Sequence, residues 1–203
     1  MFSRRDLYFS VITGFYAGLI AWRVFLFLGL PSPFPLSISW AWLILVIPVL
    51  WILGVNLGYF LSKWFKFFQQ FGKFSAVGFT NAAVYFGILN VLISWSDINR
   101  GAWYSVFVAL SFIIGTTHSY FWNKFWVFQA TDNGVSRQEF GKFLIVSIIA
   151  GFINVGIASG VVNFMNPLLG LTLDQWANVG GVAGSAVALM ASFVGFKVAV
   201  FHK

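Results

Sequence analysis

The chain has 203 residues, of which 60% are hydrophobic and only 8% are charged, far below the roughly 25% charged content of soluble domains. This composition indicates an integral membrane protein, and we expect no nucleic-acid partner despite the formal net charge of +7. The absence of cysteine excludes disulfides, thiolate catalysis and cysteine-ligated metals.

Six apolar stretches approach or exceed the length of about 20 residues that a helix needs to cross a bilayer. The sequence therefore predicts an all-α fold, a polytopic transmembrane helical bundle. The first stretch follows Met1-Phe-Ser-Arg-Arg-Asp6 without a clear cleavage site, so we expect an uncleaved span. Pro48 predicts a kink in the second span. The predicted spans are residues 7–30, 38–62, 74–95, 102–123, 143–165 and 176–196.

The positive side chains predict an orientation in the membrane. With a cytoplasmic N-terminus, Arg100 is the only one of them outside, Arg23 lies within the membrane, and the other lysines and arginines are inside. We therefore expect both termini in the cytoplasm. The short basic and aromatic segment 63–73 is predicted to lie along the cytoplasmic interface between the second and third spans.

Polar side chains enter the fourth span towards its cytoplasmic end. Thr116, Ser119 and Asn123 are spaced so that they share one side of a helix, which predicts a polar stripe facing something other than lipid. Lys124 then stands among aromatic residues, a composition typical of headgroup depth, where a lysine can snorkel outward.

The chain nearly repeats itself from residue 72 onward. Gly72-Lys-Phe74 is echoed by Gly141-Lys-Phe143, and the end of the fourth span, Asn123-Lys-Phe-Trp-Val-Phe128, by Phe196-Lys-Val-Ala-Val-Phe201. Each unit is a helical hairpin that enters from and returns to the cytoplasm, so the repeat is parallel. This predicts two parts, a two-helix extension with an interfacial segment at 1–70 and a four-helix domain of two parallel-repeat hairpins at 71–203.

These residues resemble the GtrA-like family of membrane proteins over about residues 71–203. The resemblance is carried by Lys73-Phe74 with Asn81 soon after, by the motif at 123–128, and by Lys142-Phe143, Asn154 and Lys197-Val-Ala-Val-Phe201. Two features depart from that pattern. Phe196 stands where Asn123 would be repeated, and residues 1–70 add two spans to the four of the family's usual domain.

The resemblance implies that the protein moves or handles polyprenyl-phosphate-linked sugars for cell-surface polysaccharide or cell-wall glycosylation, often beside a membrane glycosyltransferase. Our first hypothesis is translocation of such a lipid across a prokaryotic cytoplasmic membrane. The alternative is a non-transporting subunit that recruits or stabilises a polyprenyl-phosphate glycosyltransferase. A proton-coupled small-molecule transporter is a remote alternative, because no carboxylate is predicted within a span. No nucleophile, acid pair or metal cluster is visible, so we expect neither an enzyme nor a cofactor.

Positive residues in or near the membrane are candidates for binding the phosphate of such a lipid. Arg23 lies within the first span, where a guanidinium either clamps a phosphate in a bidentate manner or snorkels to outer headgroups. Lys124 and Lys197 end equivalent helices, and Lys73 and Lys142 begin equivalent helices. These four lysines are either phosphate ligands or ordinary topology anchors.

Polar residues inside the predicted bundle are candidates for binding the sugar. Asn81, Asn123 and Asn154 need hydrogen-bond partners within the membrane, supplied either by neighbouring helices or by sugar and phosphate groups. His118 is either a hydrogen-bonding residue of the bundle or a proton relay. The Gly-x-x-x-Gly pairs that begin at Gly14, Gly54, Gly156 and Gly180 predict close helix packing and leave a homodimer interface open.

Overall fold

The computed structural model of the protein describes residues 2–32, 39–127 and 137–199, and the side chains at 39, 137–140, 142, 143 and 192–199 lie outside that description. The described chain is all-α, as predicted. A short 3-10 turn, Ser39–Trp42, precedes the second helix, and a π-helical segment, Asn123–Val127, continues the fourth. The helices are α1 Arg4–Phe27, α2 Leu43–Leu61, α3 Phe67–Ser96, α4 Gly101–Trp122, α5 Arg137–Phe164 and α6 Leu173–Ala199.

The helices occupy the six places at which spans were predicted. In the described part of the chain, five stretches are long and apolar enough to cross a membrane, and α6, with 27 residues, lies at the place of the predicted sixth span. The protein is therefore a multi-pass membrane protein. The five stretches are Arg4–Phe27, Trp40–Leu61, Phe67–Ser96, Gly101–Val127 and Leu144–Phe164.

The first helix begins at Arg4, three residues before the predicted start of its span. Ser3 is the N-cap, and its side chain and that of Asp6 form a reciprocal capping box that folds the intervening residues into the first turn. Asp6, which was expected before the first span, therefore lies in the first turn of the helix. Asp6 belongs to α1 and is buried, and an ion pair with Lys73 compensates its charge.

The third helix begins at Phe67, seven residues before the predicted start at 74. Residues 67–73 form its first two turns, and no proline interrupts them. Gly72 lies where α3 crosses α2, because a Cβ added to Gly58 on α2 would lie 3.2 Å from the Cα of Gly72. The segment 63–73 is thus divided between a short turn and the start of α3.

The chain forms two compact units, and both α3 and α4 contribute to each of them. The first unit comprises Met1–Gly87 and Gly115–Ala130. Within it, α1 packs closely on α2, because a Cβ added to Gly14 would lie 2.5 Å from the Cα of Pro48. The close packing predicted for the glycine pair of α1 is confirmed.

The second unit comprises Ile88–Ile114 and Thr131–Lys203. Its helices are joined by hydrogen bonds from polar side chains. Such bonds are common between helices that pack in an apolar environment. Asn90 and Asn178 exchange two bonds of 2.8 Å, and the hydroxyl of Tyr104 donates to the carbonyl of Ala177 at 2.7 Å.

The glycine pairs of α5 and α6 differ in their surroundings within the second unit. Gly184 packs against the α5 backbone, since an added Cβ would lie 2.5 Å from the carbonyl oxygen of Asn154. Around Gly156 and Gly160, an added Cβ would meet no described atom within 4 Å. The pair on α6 mediates helix packing, and the pair on α5 is open among the described residues.

Candidate functional site

The carboxylate of Asp6 joins four segments of the first unit. Its Oδ1 lies 2.7 Å from Nζ of Lys73 on α3 and accepts a hydrogen bond of 3.1 Å from Nε1 of Trp126. Its Oδ2 accepts a bond of 2.9 Å from the hydroxyl of Tyr59 on α2, and two more from the backbone and side chain of Ser3. Asp6 and Lys73 are almost fully buried. A buried pair with so many donors is well compensated, but removal of one partner leaves an uncompensated charge.

An aromatic column rises from this ion pair along α1 and α4. We define it as Phe9, Tyr16, His118, Trp122 and Trp126. The ring of Phe9 packs edge-on against Trp122 and Trp126, with centroids 5.3 and 5.8 Å apart. One turn before Trp122 on α4, Nε2 of His118 lies 2.6 Å from the hydroxyl of Tyr16 on α1. The column thus connects a buried charge pair to polar groups deeper in the unit.

The end of α4 departs from α-helical geometry. Residues Asn123–Val127 form a π-helix, a local widening that is found frequently at functional sites. The guanidinium of Arg5 donates a hydrogen bond to the carbonyl of Phe125 and so ties this segment to α1. The π-helical residues are the motif on which the predicted resemblance most depends.

A polar cluster lies beside the column on α3 and α4. We define it as Asn81, His118, Ser119 and Asn123. The amide of Asn123 donates to the carbonyl and the hydroxyl of Ser119, at 2.9 and 3.1 Å, so these two residues share a face as their spacing predicted. A Cβ added to Gly115 would lie 3.2 Å from Oδ1 of Asn81, which places Asn81 against α4 one turn from His118.

Three buried atoms of the polar cluster have no hydrogen-bond partner among the described residues. They are Oδ1 of Asn81, Nδ1 of His118 and Oδ1 of Asn123. A buried polar atom without a partner costs about 1–3 kcal/mol. The sequence left two roles open for each residue: interhelical hydrogen bonding or sugar and phosphate contact for Asn81 and Asn123, and bundle hydrogen bonding or proton relay for His118. The cluster can therefore form further hydrogen bonds with a polar guest.

The predicted phosphate ligands of the first unit have different surroundings. Lys73 is neutralised by Asp6, so its charge is not available to a ligand in this structure. Lys124 is half-buried, with Nζ 5.9 and 5.6 Å from the ring centroids of Tyr120 and Phe125. Arg23 is exposed near the other end of α1 and lies over the ring of Trp22.

The remaining predicted site residues belong to the second unit. Asn154 is buried and donates a hydrogen bond of 3.1 Å to Ser185, which joins α5 to α6. This contact favours the interhelical role that the sequence left open for Asn154. The side chains of Lys142 and Lys197 lie outside the described residues.

Sequence reasoning missed several residues of this site. Asp6 was assigned to a polar terminus, although Ser3-x-x-Asp6 is the spacing of a capping box and indicated a helical start. Tyr16, Tyr59 and Trp126 were counted only as aromatic residues of a membrane protein. Their polar atoms gain partners through tertiary contacts that no sequence spacing indicates.

Comparison with known families identifies one match. The profile of the family described as GtrA/DPMS, transmembrane domain, matches residues 73–201, well over half of the chain. The match begins at Lys73 and includes the π-helical segment of α4. Comparison with curated proteins and with solved structures gave no match.

Proposed function

The chain belongs to the GtrA/DPMS transmembrane-domain family and is a membrane protein of polyprenyl-phosphate-linked sugar processes, and from this premise we propose that it translocates a polyprenyl-phosphate-linked sugar. The lipid moves from the cytoplasmic to the outer leaflet of a prokaryotic cytoplasmic membrane and supplies cell-surface polysaccharide or cell-wall glycosylation. Both termini, and with them the Asp6–Lys73 pair, are cytoplasmic. The proposal assigns no bond-breaking chemistry to the chain.

The observation that carries this proposal is the set of three unpartnered polar atoms in the polar cluster. Asn81, His118 and Asn123 offer buried hydrogen-bonding atoms that no described residue of the unit satisfies. A sugar presents several hydroxyl groups, each able to donate and to accept, and can satisfy such atoms while it crosses the membrane interior. In our proposal the sugar crosses along this cluster while the isoprenoid chain stays in lipid.

Lys124 is the proposed partner of the substrate phosphate on the cytoplasmic side. It adjoins Asn123 in the π-helical segment, and no carboxylate within 4 Å neutralises it among the described residues. An ammonium group bound to phosphate makes a charge-assisted hydrogen bond. Arg23, exposed near the opposite end of α1, is proposed to meet the phosphate at the outer leaflet.

The test measures transbilayer movement of a fluorescent polyprenyl-phosphate sugar in liposomes that contain only this protein. We expect Asn81→Ala and Asn123→Ala to slow the movement about tenfold, the equivalent of about 1.4 kcal/mol. Asn56→Ala is the matched control, because Asn56 is exposed on α2 and its amide donates within its own helix, to the carbonyl of Ile52. Equal rates in all three variants would refute the role of the cluster.

The same preparation separates translocation from the alternative role of a glycosyltransferase subunit. Absence of movement with the purified wild-type protein, together with a glycosyltransferase that co-purifies from native membranes, would overturn translocation. Movement that requires the protein in the absence of such a partner would support it.

A further inference from the structure

An open groove runs along the outer surface of the first unit between α2 and α3. Its volume is about 310 Å³, and its lining is almost entirely apolar. The floor consists of small residues, including Gly54, Gly58 and Gly72, and the walls include Leu57 and Phe71. None of the residues that line the groove belongs to the polar cluster.

The groove exists because small residues lie where α2 and α3 cross, whereas large side chains flank the crossing. Gly58 and Gly72 bring the two backbones together, and an added Cβ at either glycine would lie within 3.3 Å of backbone atoms of the other helix. The flanking side chains of Leu57 and Phe71 project beyond this contact and are about half exposed. The groove therefore has a floor of backbone atoms and walls of aliphatic and aromatic side chains.

One end of the groove is positively charged. Leu61 and Phe68 line that end, and the turn between them carries Lys63 and Lys66, both exposed. The turn is compact, with hydrogen bonds from Trp64 to Leu61 and others that span three or four residues. Neither lysine has a carboxylate within 4 Å among the described residues. An apolar chain in the groove would therefore place an anionic headgroup beside two cations.

We infer that this groove docks the isoprenoid chain of a polyprenyl phosphate, with the phosphate held by Lys63 and Lys66. The inference rests on the proposed function and adds to it a docking site at which the lipid is held before its sugar enters the polar cluster.

The shape of the groove favours a branched chain over a straight one. The open place at Gly54, where an added Cβ meets no described atom within 4 Å, accepts a methyl branch, and the aromatic walls, Phe68 and Phe71 among them, can pack on the double bonds. An anionic phospholipid also presents a negatively charged phosphate but lacks the branches, so it is the competitor in the test.

Gly54 provides a variant that fills the groove without disturbing helix packing. A Cβ added there meets no described atom within 4 Å, and Gly54 itself lines the groove. Leucine is also a far better helix former than glycine. Gly156→Leu is the matched control, because Gly156 is equally open and exposed in a helix of the second unit.

The experiment is native mass spectrometry of the purified full chain in nanodiscs with undecaprenyl phosphate or phosphatidylglycerol. We expect Gly54→Leu and Lys63→Gln/Lys66→Gln to lower undecaprenyl phosphate occupancy at least about fivefold, equivalent to about 1 kcal/mol. Gly156→Leu should bind as the wild type does. Phosphatidylglycerol should not displace the polyprenyl phosphate at equal concentration.

The possible results separate this inference from the proposed function. Undiminished binding by Gly54→Leu, no binding by the wild type, or equal competition by phosphatidylglycerol would each overturn the groove as an isoprenoid site. If the wild type binds the lipid but does not translocate it, and Gly54→Leu does not bind it, the groove is supported and translocation is overturned. If the wild type translocates the lipid and Gly54→Leu still binds it as the wild type does, translocation is supported and the groove is overturned.

Discussion

Nζ of Lys73 lies 2.7 Å from Oδ1 of Asp6, and the two side chains are almost fully buried within the first unit. Lys73 is the first residue of the family match, whereas Asp6 precedes that match. The N-terminal helix therefore supplies the counter-ion for a lysine of the family domain. The sequence left Lys73 open as a phosphate ligand or a topology anchor, and this relationship favours a structural role for its charge.

The ion pair leads to a prediction about stability. Asp6→Asn leaves Lys73 buried without a counter-ion and should destabilise the protein by about 3–5 kcal/mol. Thermal unfolding of the purified protein in detergent measures this change. The double variant Asp6→Asn/Lys73→Met removes both charges and should recover much of the loss. Asp97→Asn, at an exposed position with positive φ that asparagine tolerates, is the control. Equal stability of Asp6→Asn and wild type would contradict the prediction.

A second prediction concerns the hydrogen bond between Trp126 and Asp6. Trp126→Phe keeps an aromatic ring in the column but removes the Nε1 donor to the carboxylate, which is 3.1 Å away. Because a hydrogen bond to a charged group contributes about 1.5–3 kcal/mol, we expect a loss of that size, measured by the same unfolding assay. Trp95→Phe alters a side chain that is 84% exposed and should have little effect. Unchanged stability of Trp126→Phe would contradict the prediction.

The glycines supply a third prediction, on helix packing. Gly14→Leu places a side chain against the backbone at Pro48 and should destabilise the protein by at least about 1–3 kcal/mol through overpacking. Gly78→Leu changes a glycine of α3 whose added Cβ meets no described atom within 4 Å, so it should leave stability unchanged or raise it. Chemical denaturation in mixed micelles compares the two. The packing argument fails if Gly14→Leu is as stable as Gly78→Leu.

A fourth prediction tests the proposed phosphate contact of Lys124. Lys124→Gln keeps the length of the side chain approximately but removes its charge, and should slow translocation about tenfold because a charge-assisted contact of about 1.4 kcal/mol is lost. The liposome assay measures the rate. Arg100→Gln removes an exposed charge from the connection between α3 and α4 and should leave the rate unchanged. Equal slowing by both variants would show a general effect of net charge.

Much of the architecture could be predicted because it depends on local composition and periodicity. The apolar runs predicted helices at all six places, and the small-residue spacing at Gly14 predicted a close helix contact that the structure contains. The spacing of Ser119 and Asn123 predicted a shared face, and their side chains are hydrogen-bonded. These features need only the geometry of one helix, so the sequence contains enough information for them.

The burial of Asp6 and the role of Lys73 could not be predicted in the same way. A lone aspartate after two arginines is typical of a solvated terminus, and a lysine before an apolar run is typical of a topology anchor. Only their proximity in the folded chain makes each an acceptable buried charge for the other. The π-helical turn at Asn123–Val127 is likewise stabilised by contacts from outside α4, including those of Arg5 and Asp6.

The sequence by itself determined the membrane class, the helices and several of their contact faces, because the cost of burying a free backbone polar group in lipid leaves helices as the solution for these apolar segments. The tertiary structure alone decided which charges neutralise each other, which polar atoms keep hydrogen-bonding capacity, and where a groove remains between helices. Those properties depend on distances between residues far apart in the chain, and helical periodicity carries no information about them.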